Sequence, residues 1–326
     1  MTGRVPPRPA QLLLRPAHAW LPVSSCTPGC ADAPGAAAPA AVRRRRWLRL
    51  AGSLAGAGTA AARAPLAGAR GRRKLVVCAA ARLLTSAGVR VEVHASQTAW
   101  PRTGPGHGPG LLVVSNSVSW VDDLALLTVV PAAPVARTEL AGRPLVGSLA
   151  RRVDTVFVDR ARLRSLPATV TEVTGLLRAG QSVVAQPEGT SSCGVELGRF
   201  RPALFQAAVD AGAPVCPVAV RYRTAGGRAT ALAGHLADEP LWRSVVRVVA
   251  AHGLVVEVHL LPALDPAGAD RRSLAALAEY AVATVTGARP PVVAAHPRPA
   301  RAPLRPLPTA PGGPRTAPPA GVPRAA

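Results

Sequence analysis

"LLVVSNSVSWVDDLALL", residues 111–127, holds three kinds of local structure in seventeen residues. Leu111 to Ser115 is a short apolar run rich in β-branched residues, which reads as a buried strand. From Trp120 to about Val130 apolar residues recur at helical spacing. Between them Ser119 is followed three residues later by Asp122, the pattern of a capping box that starts a helix. Strand, polar turn and helix in that order is the first half of a βαβ unit. In such folds ligands collect where the strands end. The turn itself carries Asn116, Ser117 and Ser119, with Asp122 and Asp123 just inside the helix.

Reading outward, the same alternation repeats. Helices are expected over 74–88, 168–180, 202–212, 241–253 and 270–285, with a further helical turn at 145–152. Strands are expected over 89–94, 133–137, 154–158, 182–186, 213–222 and 254–261. "TGPGHGPG", 103–110, reads as a turn. This predicts an α/β fold whose mostly parallel sheet is flanked by helices, and it puts the loops after 115, 158 and 186 along one edge. The segments 1–42 and 288–326 are rich in Pro, Ala, Gly and Arg without apolar period and are expected to be disordered. Between them stand a basic helical segment, 43–88, and the α/β domain, 89–287.

Charge and cysteine content narrow the partners. The formal net charge is +22, almost all of it arginine, with Lys74 the single lysine. That balance suits an anionic membrane surface or a phosphorylated ligand. The aromatic residues do not interleave with the basic ones as stacking platforms do, so no nucleic-acid partner is expected. "RRRRWLRL", 43–50, places a basic cluster beside Trp47 and Leu48. It reads either as a surface anchor on anionic lipid or as a solvated basic linker. The apolar stretch that follows is short and rich in Gly and Ala for a span. Cys26, Cys30, Cys78, Cys193 and Cys216 show no pair spacing with the second half of a zinc site, so free thiols and no metal are expected.

Three of the expected carboxyl-end loops carry polar motifs: "NSVSWVD" at 116–122, "VFVDR" at 156–160 and "QPEGTSS" at 186–192. A later strand carries "APVCPVAV", 213–220, and "RTEL" stands at 137–140. Together, in this order, they resemble the lysophospholipid acyltransferase family, over roughly residues 75–285. Its motifs are Asn-His-x-Ser-Trp-x-Asp, Phe-x-x-Arg, Phe-Pro-Glu-Gly-Thr and a Pro-rich strand. The resemblance implies a glycerolipid acyltransferase-like fold with a membrane-associated N-terminal segment. It also implies transfer of a fatty acyl group from acyl-CoA or acyl carrier protein to the hydroxyl of a lysophospholipid such as 1-acylglycerol-3-phosphate, with no cofactor, at the cytoplasmic face of a membrane. Position 117 and Asp122 then fall at the catalytic places. Asn116, Arg137, Phe157, Arg160, Glu188, Gly189 and Thr190 fall at the substrate-binding ones. Arg160 would hold a phosphate, and Gly189 would let the backbone approach the acceptor's head.

One departure stands out. The family's histidine is the general base, and this chain has Ser117 there. A hydroxyl is no base near neutral pH, and losing a general base typically costs about 10²–10⁴-fold. His107 precedes the strand and sits about 16 Å away at about 3.3 Å per residue. His94, His235, His252 and His259 lie in stretches without a motif. Gln186 replaces the third motif's phenylalanine, and Ser191 stands where the family often has arginine. The sequence therefore carries two readings: an acyltransferase, or a catalytically impaired relative that binds lysolipid or acyl chains without turnover.

Overall fold

The computed structural model describes residues 24–288 except 25, 32–36, 64–68, 96–99, 104–106, 131, 143–146, 148–149, 152–153 and 237–238. The tail beyond 288, residues 104–106 of the turn at 103–110 and most of the helical turn at 145–152 therefore lie outside the described residues.

Among the described residues seven strands form one sheet: β1 (Val89–Ala95), β2 (Leu112–Ser115), β3 (Ala133–Arg137), β4 (Val156–Val158), β5 (Val183–Ala185), β6 (Val215–Arg223) and β7 (Leu254–Leu260). Their order across the sheet is β1-β7-β6-β2-β5-β3-β4. All pairings are parallel except β6 with β7. The sheet is thus mostly parallel, with β1 and β7 reversed together at one side. The central strands are apolar on both faces because both faces are covered. Leu112 and Val114 of β2 point into one core and Val113 into the other.

The first core lies under α1 (Ala40–Arg63), α2 (Ala69–Ala87), α3 (Trp120–Val129) and α7 (Leu241–Ala250), through Leu50, Leu84, Leu126 and Val248. The second lies under α5 (Leu166–Arg178), α6 (Phe205–Ala211) and α8 (Arg271–Thr286), through Leu177, Phe205 and Leu274. One short turn of helix, α4 (Thr138–Ala141), follows β3. Because β2, β3, β4, β5 and β6 run the same way, their carboxyl ends meet along one edge, as the motif spacing predicts.

The N-terminal region is more closely joined to the domain than its composition suggests. Residues 24–31 fall in the segment expected to be disordered, yet Pro28–Ala31 forms a 3₁₀ turn. Cys26 and Ala31 are buried there against Cys193 and Leu236. The cause is apolar: small side chains fill a gap over the loop after β5. Within the arginine tract, Arg46 donates from Nη1 to the carbonyls of Val249 and Ala251, both at 2.7 Å. It satisfies carbonyls at the end of α7 that the helix leaves unpaired, where positive charge is also favoured. Among the described residues, no helix is long and apolar enough to cross a membrane.

Candidate active site at the carboxyl edge of the sheet

The turn after β2 is held by side chains rather than by ladder bonds. β2 ends at Ser115 while β6 continues to Arg223. Asn116 extends the pairing: its Nδ2 donates to Val220 O at 3.0 Å and its Oδ1 accepts from Val220 N at 2.7 Å. Asn116 is 1% exposed, so the geometry gives it the task of shaping the turn rather than of meeting a substrate. The next residue, Ser117, is pinned on both sides of its backbone. Its N–H donates to Glu188 Oε1 at 2.6 Å, and its carbonyl accepts from Ser192 N at 2.8 Å. Its hydroxyl lies 3.2 Å from that of Ser191.

Asp122 closes the turn from below. Its Oδ2 accepts from Val118 N at 2.6 Å and Ser119 N at 2.8 Å, and Ser119 Oγ accepts from Val121 N at 3.2 Å. The predicted capping box is formed. Its Oδ1 accepts from the hydroxyl of Tyr222. Full burial pushes the Asp122 carboxyl up to about 6, against the pull of the Tyr222 hydroxyl and the two N–H groups. Burial and the neighbouring Asp122 carboxylate hold the Tyr222 hydroxyl well above its ordinary value. Tyr222 is therefore a donor to Asp122 and not a base.

Glu188 is buried in the same way, 2% exposed. Its second oxygen accepts from Gly198 N at 2.6 Å. A Cβ at residue 198 would stand 2.6 Å from that oxygen, so only glycine lets the loop close on the carboxylate. Burial pushes Glu188 up to about 8, offset in part by the N–H groups of Ser117 and Gly198. Glu188 ties the turn after β2 to the loop after β5. It supports position 117 rather than lining an open pocket, as the motif resemblance implied.

At the far end of the edge stand the cations. Arg137 ends β3 and is exposed; the register places it opposite Val158, two residues before Arg160. Arg160, half-buried, donates to the carbonyl of Gly189. Gly189 adopts φ 76°, a left-handed conformation natural to glycine, and this aims its carbonyl at the guanidinium. Burial, and secondly the nearby Arg137, lower Arg160 to about 10. Two guanidinium groups held this close make a natural seat for an anion. Phe157 is half-buried on β4, and Thr190 is half-buried in the loop beside Gly189. Gln186 donates to Asp123 Oδ1 at 3.1 Å, joining that loop to the start of α3.

Three residues escaped the sequence reading. Tyr222 and Gly198 gave no motif signal, although a tyrosine between two arginines on a strand is an inward-facing polar position. The third is His235. Its stretch carries no motif, yet its backbone N–H donates to Val118 O at 3.0 Å, beside Ser117. Its Nδ1 is 3.8 Å from Glu239 Oε1, and Glu239 is clamped by Arg247 at 2.6 and 2.8 Å. His94, in contrast, stacks on His259 with ring centroids 4.5 Å apart. It lies three strand positions from β2, about 14 Å at about 4.8 Å per strand.

A mostly parallel α/β sheet with a pinned polar turn and two guanidinium groups on one edge is a frame that many chemistries share. Comparison with known proteins makes the class specific. The acyltransferase family model matches residues 90–221. The chain is 36% identical over 171 residues to 1-acyl-sn-glycerol-3-phosphate acyltransferase of Neisseria gonorrhoeae, covering 52% of this chain and 67% of that protein. It is 33% identical over 188 residues to lyso-ornithine lipid O-acyltransferase of Brucella abortus, covering 54% and 70%. The crystal structure of the 1-acyl-sn-glycerophosphate acyltransferase PlsC from Thermotoga maritima shares the fold, with a TM-score of 0.57 at 20% identity over 76% of this chain and 94% of that one. The chain belongs to the acyltransferase family.

Proposed function

We propose that the protein transfers a fatty acyl group from acyl-CoA or acyl carrier protein to the free hydroxyl of a lysophospholipid such as 1-acylglycerol-3-phosphate. The observation that carries this reading is the placing of Arg137 and Arg160 at the ends of adjacent strands, on the edge where Glu188 and Ser192 pin residue 117. An acceptor whose phosphate sits on the guanidinium groups has its glycerol hydroxyl free to reach toward the turn. In the reaction the hydroxyl oxygen attacks the thioester carbonyl carbon, the C–S bond breaks, and the hydroxyl proton leaves with the thiol. By the family resemblance the base that takes this proton on the way falls at position 117, which holds serine here; His235 meets the turn through its backbone N–H to Val118 O, with Glu239 beside its Nδ1. Ser117 is not a base, and Asp122 is already engaged at both oxygens.

A lipid surface fits the N-terminal helices. Trp47, Leu48 and Leu54 are exposed on α1 beside exposed Arg43, Arg44 and Arg45. A cleft of about 620 Å³ between α1 and α2 is walled by Gly52, Gly56 and Ala57 and rimmed by Arg49 and Lys74. These features support attachment at the cytoplasmic face of an anionic membrane.

The second reading, a binding protein without turnover, is favoured by one observation: the Asp122 carboxylate has no imidazole to orient and is closed by Tyr222 instead. The experiment that separates the two is acyl transfer from labelled acyl-CoA to a panel of lysolipids, by the native chain, Ser117→His, Asp122→Ala and His235→Ala. Turnover by the native chain that is lost in His235→Ala assigns the base to that imidazole. A silent native chain restored by Ser117→His supports the impaired relative.

A further inference from the structure

Cys26 and Cys193 are 167 positions apart, yet the Cys193 N–H donates to the Cys26 Sγ at 3.3 Å. Cys30 completes a trio: the three sulfur atoms lie within 4.8 Å of one another. The 3₁₀ turn Pro28–Ala31, closed by Cys30 N to Thr27 O at 2.9 Å, folds Cys30 back over Cys26. Cys26 and Cys193 are buried and Cys30 is exposed. Ala31 and Leu236, both 0% exposed, wall the trio on its inner side.

We propose that Cys26, Cys30 and Cys193 form a binding site for a thiophilic d¹⁰ cation of the zinc class. The spacing Cys-x₃-Cys is that of a zinc half-site, and the fold supplies the third sulfur from the loop after β5. In a tetrahedral centre with Zn–S of about 2.3 Å, sulfur atoms stand about 3.8 Å apart, so a shift of about 1 Å closes the trio on an ion. The solvent side, where Cys30 lies, leaves a fourth place to water. Soft thiolates select such cations over hard ones. Three mutually close sulfurs match one face of a metal centre; a disulfide would use two and strand the third. Cys78 and Cys216 lie outside the trio, and burial pushes Cys216 up to about 12.

The site bears on the turn of residue 117 without being part of it. Cys193 directly follows Ser191 and Ser192, which hold Ser117 through its hydroxyl and its carbonyl. A bound cation staples residues 26–30 onto the loop that carries Glu188, and so fixes that loop from outside. This inference stands whether or not the acyl-transfer reading does.

The test uses the full chain, reduced and stripped with a chelator, titrated with Co²⁺ and read by the thiolate-to-cobalt charge-transfer absorption. The expected result is a band that saturates at one equivalent and is displaced by one equivalent of Zn²⁺. Cys193→Ser and Cys30→Ser should lose at least a third of it, and Cys78→Ser should keep it all. Cys30 is exposed, so its substitution leaves the fold intact. Alkylation mapped by mass spectrometry should show Cys26, Cys30 and Cys193 protected by Zn²⁺ and Cys78 not. The proposal is overturned by the absence of the band, by a band unchanged in Cys30→Ser and Cys193→Ser, or by a disulfide among the three with no metal uptake after reduction.

Discussion

The two ends of the site edge handle polar groups in opposite ways. At the turn after β2, Asn116, Asp122 and Glu188 are all but buried, and each has both terminal atoms bonded to partners within the chain. At the ends of β3 and β4, Arg137 is exposed, and Arg160 stands half-buried with one guanidinium nitrogen on the Gly189 carbonyl. One end is a closed scaffold that fixes where a side chain at 117 stands; the other gathers positive charge at the edge of the sheet. On the proposed acyl-transfer reading, binding and proton transfer are built separately here. The cationic end matches the motif pattern, while the scaffold of the other end carries a hydroxyl where the pattern has an imidazole.

The largest effect should come from restoring that imidazole. Ser117→His is expected to raise acyl transfer to a lysophosphatidate by about 10²–10⁴-fold, the usual contribution of a general base. An unchanged rate in a steady-state assay would break the contrast, because the base would then be fully supplied from elsewhere. Next comes Arg160→Ala. Loss of a charge-assisted contact worth about 1.5–3 kcal/mol should weaken a phosphate-bearing acceptor roughly ten- to hundred-fold, read in KM, and leave an uncharged head almost unaffected. Equal loss for both heads would move Arg160 from binding to structure.

A third prediction concerns pH. Glu188 is held at about 8 in the folded chain, against 4.5 for the ordinary carboxyl. Between those values the folded state keeps a proton that the unfolded state releases. Stability should therefore fall as pH rises from about 4.5 to about 8 and level off above. Thermal melting across that window should show the slope, and Glu188→Gln should flatten it; a variant with the native slope would assign the dependence to another group. The smallest effect is Tyr222→Phe. It removes one donor to Asp122 and should cost about 1 kcal/mol in urea unfolding. A loss of several kcal/mol would mean that Tyr222 holds the turn and not only its carboxylate.

What the sequence made legible was local. The helix start at Ser119 and Asp122 was readable because both partners lie within one turn of chain, and the buried strands because apolar runs mark a sheet covered on both faces. The motif order also placed Arg137, Arg160 and Gly189 on one edge. The closures were not readable, because they join distant positions: Ser117 to Glu188 across 71 residues, Asp122 to Tyr222 across 100, and Asn116 to Val220 across 104. The reversal of β7 was hidden for a related reason. A helix between two strands reads as a parallel crossover, yet β7 pairs antiparallel to β6 although α7 lies between them. His235 was passed over because a backbone contact to Val118 leaves no trace in side-chain spacing.

The anchoring of Arg46 has a practical meaning for anyone who shortens the chain. Sequence composition invites a cut near Val89, where the sheet begins. Such a cut would bare the carbonyls of Val249 and Ala251 at the end of α7, remove the bond from Ala38 N to Ala250 O at 2.8 Å, and expose the face that Leu50 and Leu84 cover. The smallest piece expected to remain soluble and folded therefore begins before Ala37, and a fragment starting at the first strand should aggregate on expression.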